Sequence, residues 1–347
     1  MERLDLAAFP AGAQARPLSE DDIPALVRAR NAYALRLLGV EPDTEASWKA
    51  HFNRPGVDLS RDTIGVFSAD GTFLAAGIAA NPSQPYNESH NSFVADDAAL
   101  GHTDHDQPHP GETALLEWAL RVQRSRLPEA PEGIKVVAGF GALSQDTRRK
   151  AVAESLGFAP VRFFLRMKIE MNREPEPPAF PTGISLTTLA ETNDLDSIAR
   201  AMDEAFLDHF GYTKQPEEEL LKEWHYWTEN DPHFDPNLWF LAMDNGEIAG
   251  LCMNELELDE DPGMSYVQVL GVRKPWRKKG LGTALLRHAF REFYKRGKRK
   301  ASLDVDAESL TGATRLYEKA GMTESRRFVW RELVLRDGKD VRRLDAD

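Results

Sequence analysis

Residues 265–322 read SYVQVLGVRKPWRKKGLGTALLRHAFREFYKRGKRKASLDVDAESLTGATRLYEKAGM, and the fold is decided here. Ser265 to Val272 carries Val267, Val269, Leu270 and Val272, apolar on both faces, the pattern of an interior strand covered on two sides. Pro275 ends it. Arg277, Lys278, Lys279, Gly280, Leu281 and Gly282 lead into a helix whose apolar residues Leu285, Leu286, Ala289, Phe290 and Phe293 recur at helical spacing, with Gly297 placed to stop it. Ala301 to Val305 reads as a second strand, and Gly312 to Ala320 as a short helix closed by Gly321.

The turn between strand and helix has a chemical use. The first turn of a helix leaves backbone N–H groups unpaired and carries partial positive charge, so it holds phosphate oxygens well. Gly280 and Gly282 have no Cβ to keep a diphosphate from those amides, and Arg277, Lys278 and Lys279 add cations. The spacing is Arg-x-x-Gly-x-Gly. It lacks the Lys-Ser/Thr of the nucleotide P-loop and the third glycine of the dinucleotide fingerprint. A basic turn that is merely solvated is the plain alternative.

With QVLGVRKPWRKKGLGTALL upstream and LDVDAESLTGATRLYEKAGM downstream, the stretch resembles the acetyl-coenzyme A core of the GNAT superfamily of N-acetyltransferases. The resemblance implies an α/β (α+β) fold: a mixed, mostly antiparallel sheet with a splayed central strand pair, flanked by helices. It implies acetyl-CoA as cosubstrate, with Leu270, Gly271 and Val272 holding the pantetheine arm and Arg277 to Thr283 (Arg277, Lys278, Lys279, Gly280, Leu281, Gly282, Thr283) holding the pyrophosphate. Ser309 stands where many members have Asn beside the pantetheine. Tyr317, in Leu-Tyr-Glu-x-x-Gly, matches the tyrosine that protonates the departing thiolate; a packed helix aromatic is the alternative.

At 347 residues the chain has room for two domains with separate cores. No apolar run is long enough to span a bilayer and the N-terminus does not read as a signal peptide, so no membrane partner and a cytoplasmic location are expected. The single cysteine, Cys252, excludes an internal disulfide and a cysteine-cluster metal site. A net charge of −13 argues against a nucleic-acid partner. The cations are local: Arg277 to Lys279, and Lys295, Arg296, Lys298, Arg299 and Lys300, the second run reading as a solvated helix end or as part of a small anion site.

The first half reads strand, helix from near Ser19, hairpin about Asp70-Gly71, then helix, which resembles the same fold. Thr113-Ala114-Leu115-Leu116 recurs as Thr283-Ala284-Leu285-Leu286, and AESLGF around Gly157 parallels YEKAGM around Gly321. A duplication accounts for both matches. The copies differ in chemistry: Pro110-Gly111-Glu112 stands for Gly280-Leu281-Gly282, placing a carboxylate against a would-be diphosphate, and Ala153 stands for Tyr317. Residues 1–171 are therefore expected to be a degenerate copy, 172–183 a proline-rich linker, and 184–347 the catalytic copy. His102, Asp104, His105, Asp106 and His109 share one loop; a polar loop is favoured over a metal site, and no metal is expected.

The second copy opens with a strand at 184–189 and helices at 194–206 and 217–228. In the family the region between such helices lines the acceptor pocket, which implies Asp208, Tyr212 and Trp224 as acceptor contacts, with core packing as the alternative. A hairpin about Asp244-Asn245-Gly246 follows. Its second strand offers Glu255, Glu257 and Asp259 at period two, on one face. An acceptor ammonium must lose a proton before attack, and Tyr266 occupies the position where many relatives place a Glu, so Glu255, Tyr266 and His209 are the candidate bases. The resemblance implies direct transfer of an acetyl or small acyl group to a primary amine of a small molecule. A peptide N-terminus or lysine as acceptor, and a CoA-responsive binding protein, are the alternatives. The chain is expected to be a monomer or homodimer.

Overall fold

In a computed structural model of the chain, residues 2–81, 84–209, 212–308 and 313–342 are described. They form two compact units. The first comprises Met1–Arg162 and Phe328–Val341, the second Phe163–Arg327 and Arg342–Asp347.

The first unit runs β1 (Gln14–Arg16), α1 (Ile23–Leu38), α2 (Glu45–Phe52), α3 (Leu59–Asp62), β2 (Thr63–Phe67), β3 (Phe73–Ala80), β4 (Glu88–Ala95), α4 (Asp97–Leu100), α5 (Pro110–Ser125), β5 (Val136–Leu143), α6 (Thr147–Ser155) and the start of β6 (Ala159–Glu170). The sheet order is β1-β2-β3-β4-β5, and Phe328–Arg336 then pairs with β5. All contacts are antiparallel except β4 with β5. β2 and most of β3 are buried on both faces, hence their short, apolar content. One face packs on α5 through Leu115, Trp118, Ala119 and Val122, the other on α1 through Ile23, Leu26 and Ala29.

The second unit runs from β6 through β7 (Ile184–Thr188), α7 (Leu189–Thr192), α8 (Leu195–Phe206), α9 (Glu217–Asn230), β8 (Phe240–Asp244), β9 (Glu247–Glu255), β10 (Met264–Val272), α10 (Leu281–Lys295), β11 (Lys300–Asp306), α11 (Ala313–Lys319) and the start of β12 (Thr323–Arg336). Its order is β7-β8-β9-β10-β11, with Phe164–Glu170 of β6 pairing β11. Again one contact is parallel, β10 with β11. Asn245 and Gly246, both at positive φ, make the β8–β9 turn. The α10 side of the sheet buries Cys252, Leu285, Phe290 and Phe293. The α8 side buries Ile198, Ala201, Leu251 and Met253.

The units differ from the expected 1–171 and 184–347 division. Each sheet takes its sixth strand from across the linker: Phe164–Glu170 completes the second sheet, and Phe328–Arg336 the first. The linker, 172–183, has no regular structure, as its prolines dictate, but Phe180 packs on the second core.

Candidate active site

The turn before α10 is an open helix end. Gly280 is the N-cap at φ +83°, a conformation that suits glycine, and no side chain caps the helix. Ala284 N–H donates to the Gly280 carbonyl, which leaves the amides of Leu281, Gly282 and Thr283 without a partner among the described residues. Lys278, itself at φ +62°, and Lys279 are exposed and make no ion pair among the described residues. The second basic run is different. Lys295 pairs with Glu292, Arg296 with Asp235, Lys298 with Glu257 and Lys300 with Asp261, while Arg299 stacks on Tyr294. Four of these five cations are thus paired with carboxylates, and Arg299 donates to backbone carbonyls.

β10 and β11 part company just before this turn. Their parallel pairing covers only Met264–Val267 against Lys300–Leu303, while β10 stays paired with β9 as far as Val272. A bulge at Gln268 shifts the β10–β9 register between Val267 and Val269. Past the fork, the edge of β10 carrying Leu270, Gly271 and Val272 has no strand partner on the β11 side among the described residues; the Val272 carbonyl is taken by Arg277 Nε, and the peptide groups of Leu270 and Gly271 on that side are left for an extended ligand.

Chemistry-bearing side chains stand on both faces at this fork. On the α10 side Tyr317 is buried within the core that contains Cys252. Burial, then the nearby Cys252, pushes its phenol upward, and the hydroxyl has no partner among the described residues. Cys252 is fully buried, and burial pushes its thiol up to about 12.

On the other face, in register with Met253 and Leu251, is Glu255, paired across to Tyr266. Glu255 makes no hydrogen bond or ion pair among the described residues. Burial, reinforced by Asp231 and Asp259 and opposed by His233 and Arg166, pushes its carboxyl up to about 7. The Tyr266 hydroxyl donates to Asp304 Oδ2 at 3.1 Å, and Asp304 accepts two bonds from Arg166, which also pairs with Glu260. Burial and Asp304 raise Tyr266 far above the usual phenol range, so it keeps its proton. His233 bonds Asp259 at 2.8 Å.

The remaining expected residues are distributed as follows. Asp208 and Arg277 are paired with each other. His209 rests its ring 4.3 Å from that of Phe206, and burial lowers it. Tyr212 is half-buried in the segment after α8. Trp224 meets Trp239 edge-on at 5.7 Å and packs on the α8-side core, the packing alternative. Ser309 lies outside the described residues. Glu257 and Asp259 do not continue a strand face with Glu255, because β9 ends there and the chain turns. Arg166 and His233 were not singled out in the sequence. Arg166 belongs to a strand that precedes the linker, and His233 is one polar residue in a loop; neither carries a local signal.

Residues 198–322 match the family model described as Acetyltransferase (GNAT) family. They are a GNAT acetyltransferase domain. Relatives of the chain include proteins named mycothiol acetyltransferase. The mycothiol acetyltransferase of Mycobacterium ulcerans is 25% identical over 70% of this chain and 80% of its own. That of Mycobacterium marinum is 27% identical over 54% of this chain and 62% of its own. A GCN5-related N-acetyltransferase from Sphaerobacter thermophilus superposes with a TM-score of 0.75 at 29% identity, over 97% of this chain and 100% of that one. A tandem GNAT protein from the clavulanic acid biosynthesis pathway, 14% identical, gives 0.69 over 94% and 100% and shows the fold alone. The fold is thus a tandem GNAT fold.

In the first copy the place corresponding to the open turn is closed by its own residues. His109 caps α5 through Gly111 N–H, and Glu112 accepts from His109 N–H, a complete capping box. Glu112 is 1% exposed and bonded at 2.7 Å to Arg148, which is 2% exposed and also holds Asp97 bidentately. Burial pushes the Glu112 carboxyl upward against the pull of Arg148. The Phe9 ring stands 2.5 Å from where a Cβ on Gly111 would lie. Where β4 runs on past its pairing with β5, which covers Glu88–Asn91, Arg149 donates to the Phe93 carbonyl, and Ala153 is fully buried. Of the histidine loop, His105 bonds Asp97 and His102 bonds the Gln107 carbonyl. Among the described residues no three His, Cys, Asp or Glu are grouped to hold a metal. No described helix is long and apolar enough to cross a membrane. A cavity of about 400 Å³ between α1 and residues 95–105 belongs to this first copy.

Proposed function

We propose that the second unit moves an acetyl or similarly small acyl group from its coenzyme A thioester directly to a primary amine of a small molecule. The observation that carries this reading is the open end of α10, whose three unpartnered amides and adjacent unpaired lysines suit a diphosphate. The donor set fits the coenzyme: amides and Lys278 and Lys279 for phosphate, and the free edge at Leu270 and Gly271 for the amide-bearing pantetheine arm. The coenzyme supplies the activated thioester.

Glu255 is the general base in this reading. It is half-buried, unpaired, and poised near neutral pH, where a base is most effective. The ammonium proton passes to the Glu255 carboxylate, the amine nitrogen bonds the acyl carbon, and the carbon–sulfur bond breaks. The thiolate takes the phenolic proton of Tyr317, and the second nitrogen proton, shed as the amide forms, passes through solvent to the Tyr317 phenolate. Tyr266 is disfavoured as base because its hydroxyl already donates to Asp304; His209 is disfavoured because it rests on Phe206 beside the Arg277 pair. A covalent relay through Cys252 is disfavoured by complete burial and a raised thiol pKa.

The relatives' name, mycothiol acetyltransferase, favours a small acceptor over a polypeptide. A thiol-release assay with acetyl-CoA across amino sugars, polyamines, amino acids and peptides tests the reading. Release with a small amine is expected. Release with peptides alone would move the acceptor class, and binding of acetyl-CoA with no release from any amine would replace the enzyme by a coenzyme-responsive binding protein.

A further inference from the structure

The Arg277 side chain, first residue of the Arg-x-x-Gly-x-Gly turn, is turned into the protein. Its Nε donates to the Val272 carbonyl at 2.9 Å, and its Nη2 donates to the Ala205 carbonyl at 2.8 Å and to Asp208 Oδ1 at 2.9 Å. Nη1 donates to the other Asp208 oxygen. Four of the five N–H groups of the guanidinium are thereby committed to the end of β10, the last turn of α8 and the second residue beyond it. The two elements touch at this point: the Ala205 Cβ and the Phe206 ring lie 3.2 and 3.1 Å from where a Cβ on Gly271 would stand. The free cations are the neighbours, Lys278 and Lys279.

The first copy contains the same fastening with the charges exchanged. Arg36, in the last turn of α1, pairs at 3.0 Å with Asp97, the second residue after β4. Helix end and strand end are joined in both copies, so the joint persists where no phosphate turn exists. A residue kept for phosphate alone has no reason to be paired this way.

We propose that Arg277 is a positioning residue: with Asp208 it fastens the end of α8 to the end of β10, and the coenzyme phosphates are left to the α10 amides, Lys278 and Lys279. The pair thereby sets the width of the slot along Leu270–Val272. Asp208 becomes part of the same device and not an acceptor contact. This rests on the reading that the second unit binds coenzyme A.

Calorimetric titration of the full chain with acetyl-CoA, alongside thermal melts, tests the proposal. Asp208→Asn and Arg277→Gln should each weaken binding about tenfold, and the double variant no more than either single, as expected for one coupled pair. Asp208→Glu should restore affinity to within about threefold, a rescue that general destabilisation would not give. Replacing Lys278 and Lys279 by Gln should weaken binding with an unchanged melting temperature, which keeps the test alive if an Arg277 variant fails to fold. If Asp208→Asn binds acetyl-CoA as tightly as the unaltered chain or tighter, while Arg277→Gln loses affinity, the guanidinium is a phosphate ligand and the proposal is overturned. Failure of the unaltered chain to bind acetyl-CoA would instead remove the functional reading beneath it.

Discussion

The N-termini of α5 and α10 occupy the same place in two copies of one fold, and they have opposite fates. At α5 a histidine, a glutamate and a buried arginine satisfy the helix end from within, and Phe9 covers it. At α10 glycine caps the helix, and its amides and lysines face outward. The comparison teaches that internal capping removes what an anion would need at a helix end, unpartnered amides and free cations. In the first copy the carboxylate of Glu112, which the Thr-Ala-Leu-Leu repeat aligns with Gly282, makes the helix end an internal capping motif worth about 0.5–2 kcal/mol to stability.

The strongest way to break the contrast is to give α10 the first copy's carboxylate. Gly282→Glu should abolish acetyl-CoA binding in a titration, at least about a hundredfold, because an added negative charge and bulk fill the phosphate space. A fold confirmed by unchanged far-ultraviolet circular dichroism would make retained affinity a direct contradiction.

Next in size, Glu255→Gln should lower kcat by about 10²- to 10⁴-fold, the usual worth of a general base. Because burial raises the carboxyl to about 7, kcat/KM of the unaltered enzyme should fall as pH drops through 7 and level off above it. The variant should lack that limb. The stability sign runs the other way. A carboxyl whose folded pKa lies above its unfolded value, about 4.3, contributes most when protonated, and that contribution is lost as pH rises toward 7. Glu255→Gln should therefore melt no lower than the unaltered chain at pH 8; a clearly lower melting temperature would assign Glu255 a structural role.

In the first copy, Arg148→Ala strips the buried Glu112 of its counter-ion and leaves Asp97 with Arg36 and His105 alone, and should cost about 3–5 kcal/mol in denaturant unfolding. It should leave the number of acetyl-CoA molecules bound per chain unchanged at temperatures where the protein stays folded. A smaller cost would mean the first copy's closure is not held by this network.

Much of this was legible in the sequence, for reasons that differ residue by residue. The strand, glycine turn and amphipathic helix from Ser265 to Lys295 are set by local periodicity and caps, and the recurrence of Thr-Ala-Leu-Leu exposed the duplication. The domain boundary was not legible, because the sixth strand of each sheet lies on the far side of the proline-rich linker and strand pairing leaves no local mark. The fastening of Arg277 was hidden for a similar reason: its partner Asp208 is 69 residues earlier. Glu255 was one of three candidate bases; its lack of a partner among the described residues sets it apart from Tyr266, whose hydroxyl is engaged, and its raised carboxyl from His209, which rests on Phe206 and is lowered by burial.

The central claim, that one copy binds and the other closes itself, is tested most directly by counting. Titration of the full chain with acetyl-CoA in a calorimeter should give a single site per chain, eliminated by Gly282→Glu. Two equivalent sites, or one site that survives Gly282→Glu, would contradict it.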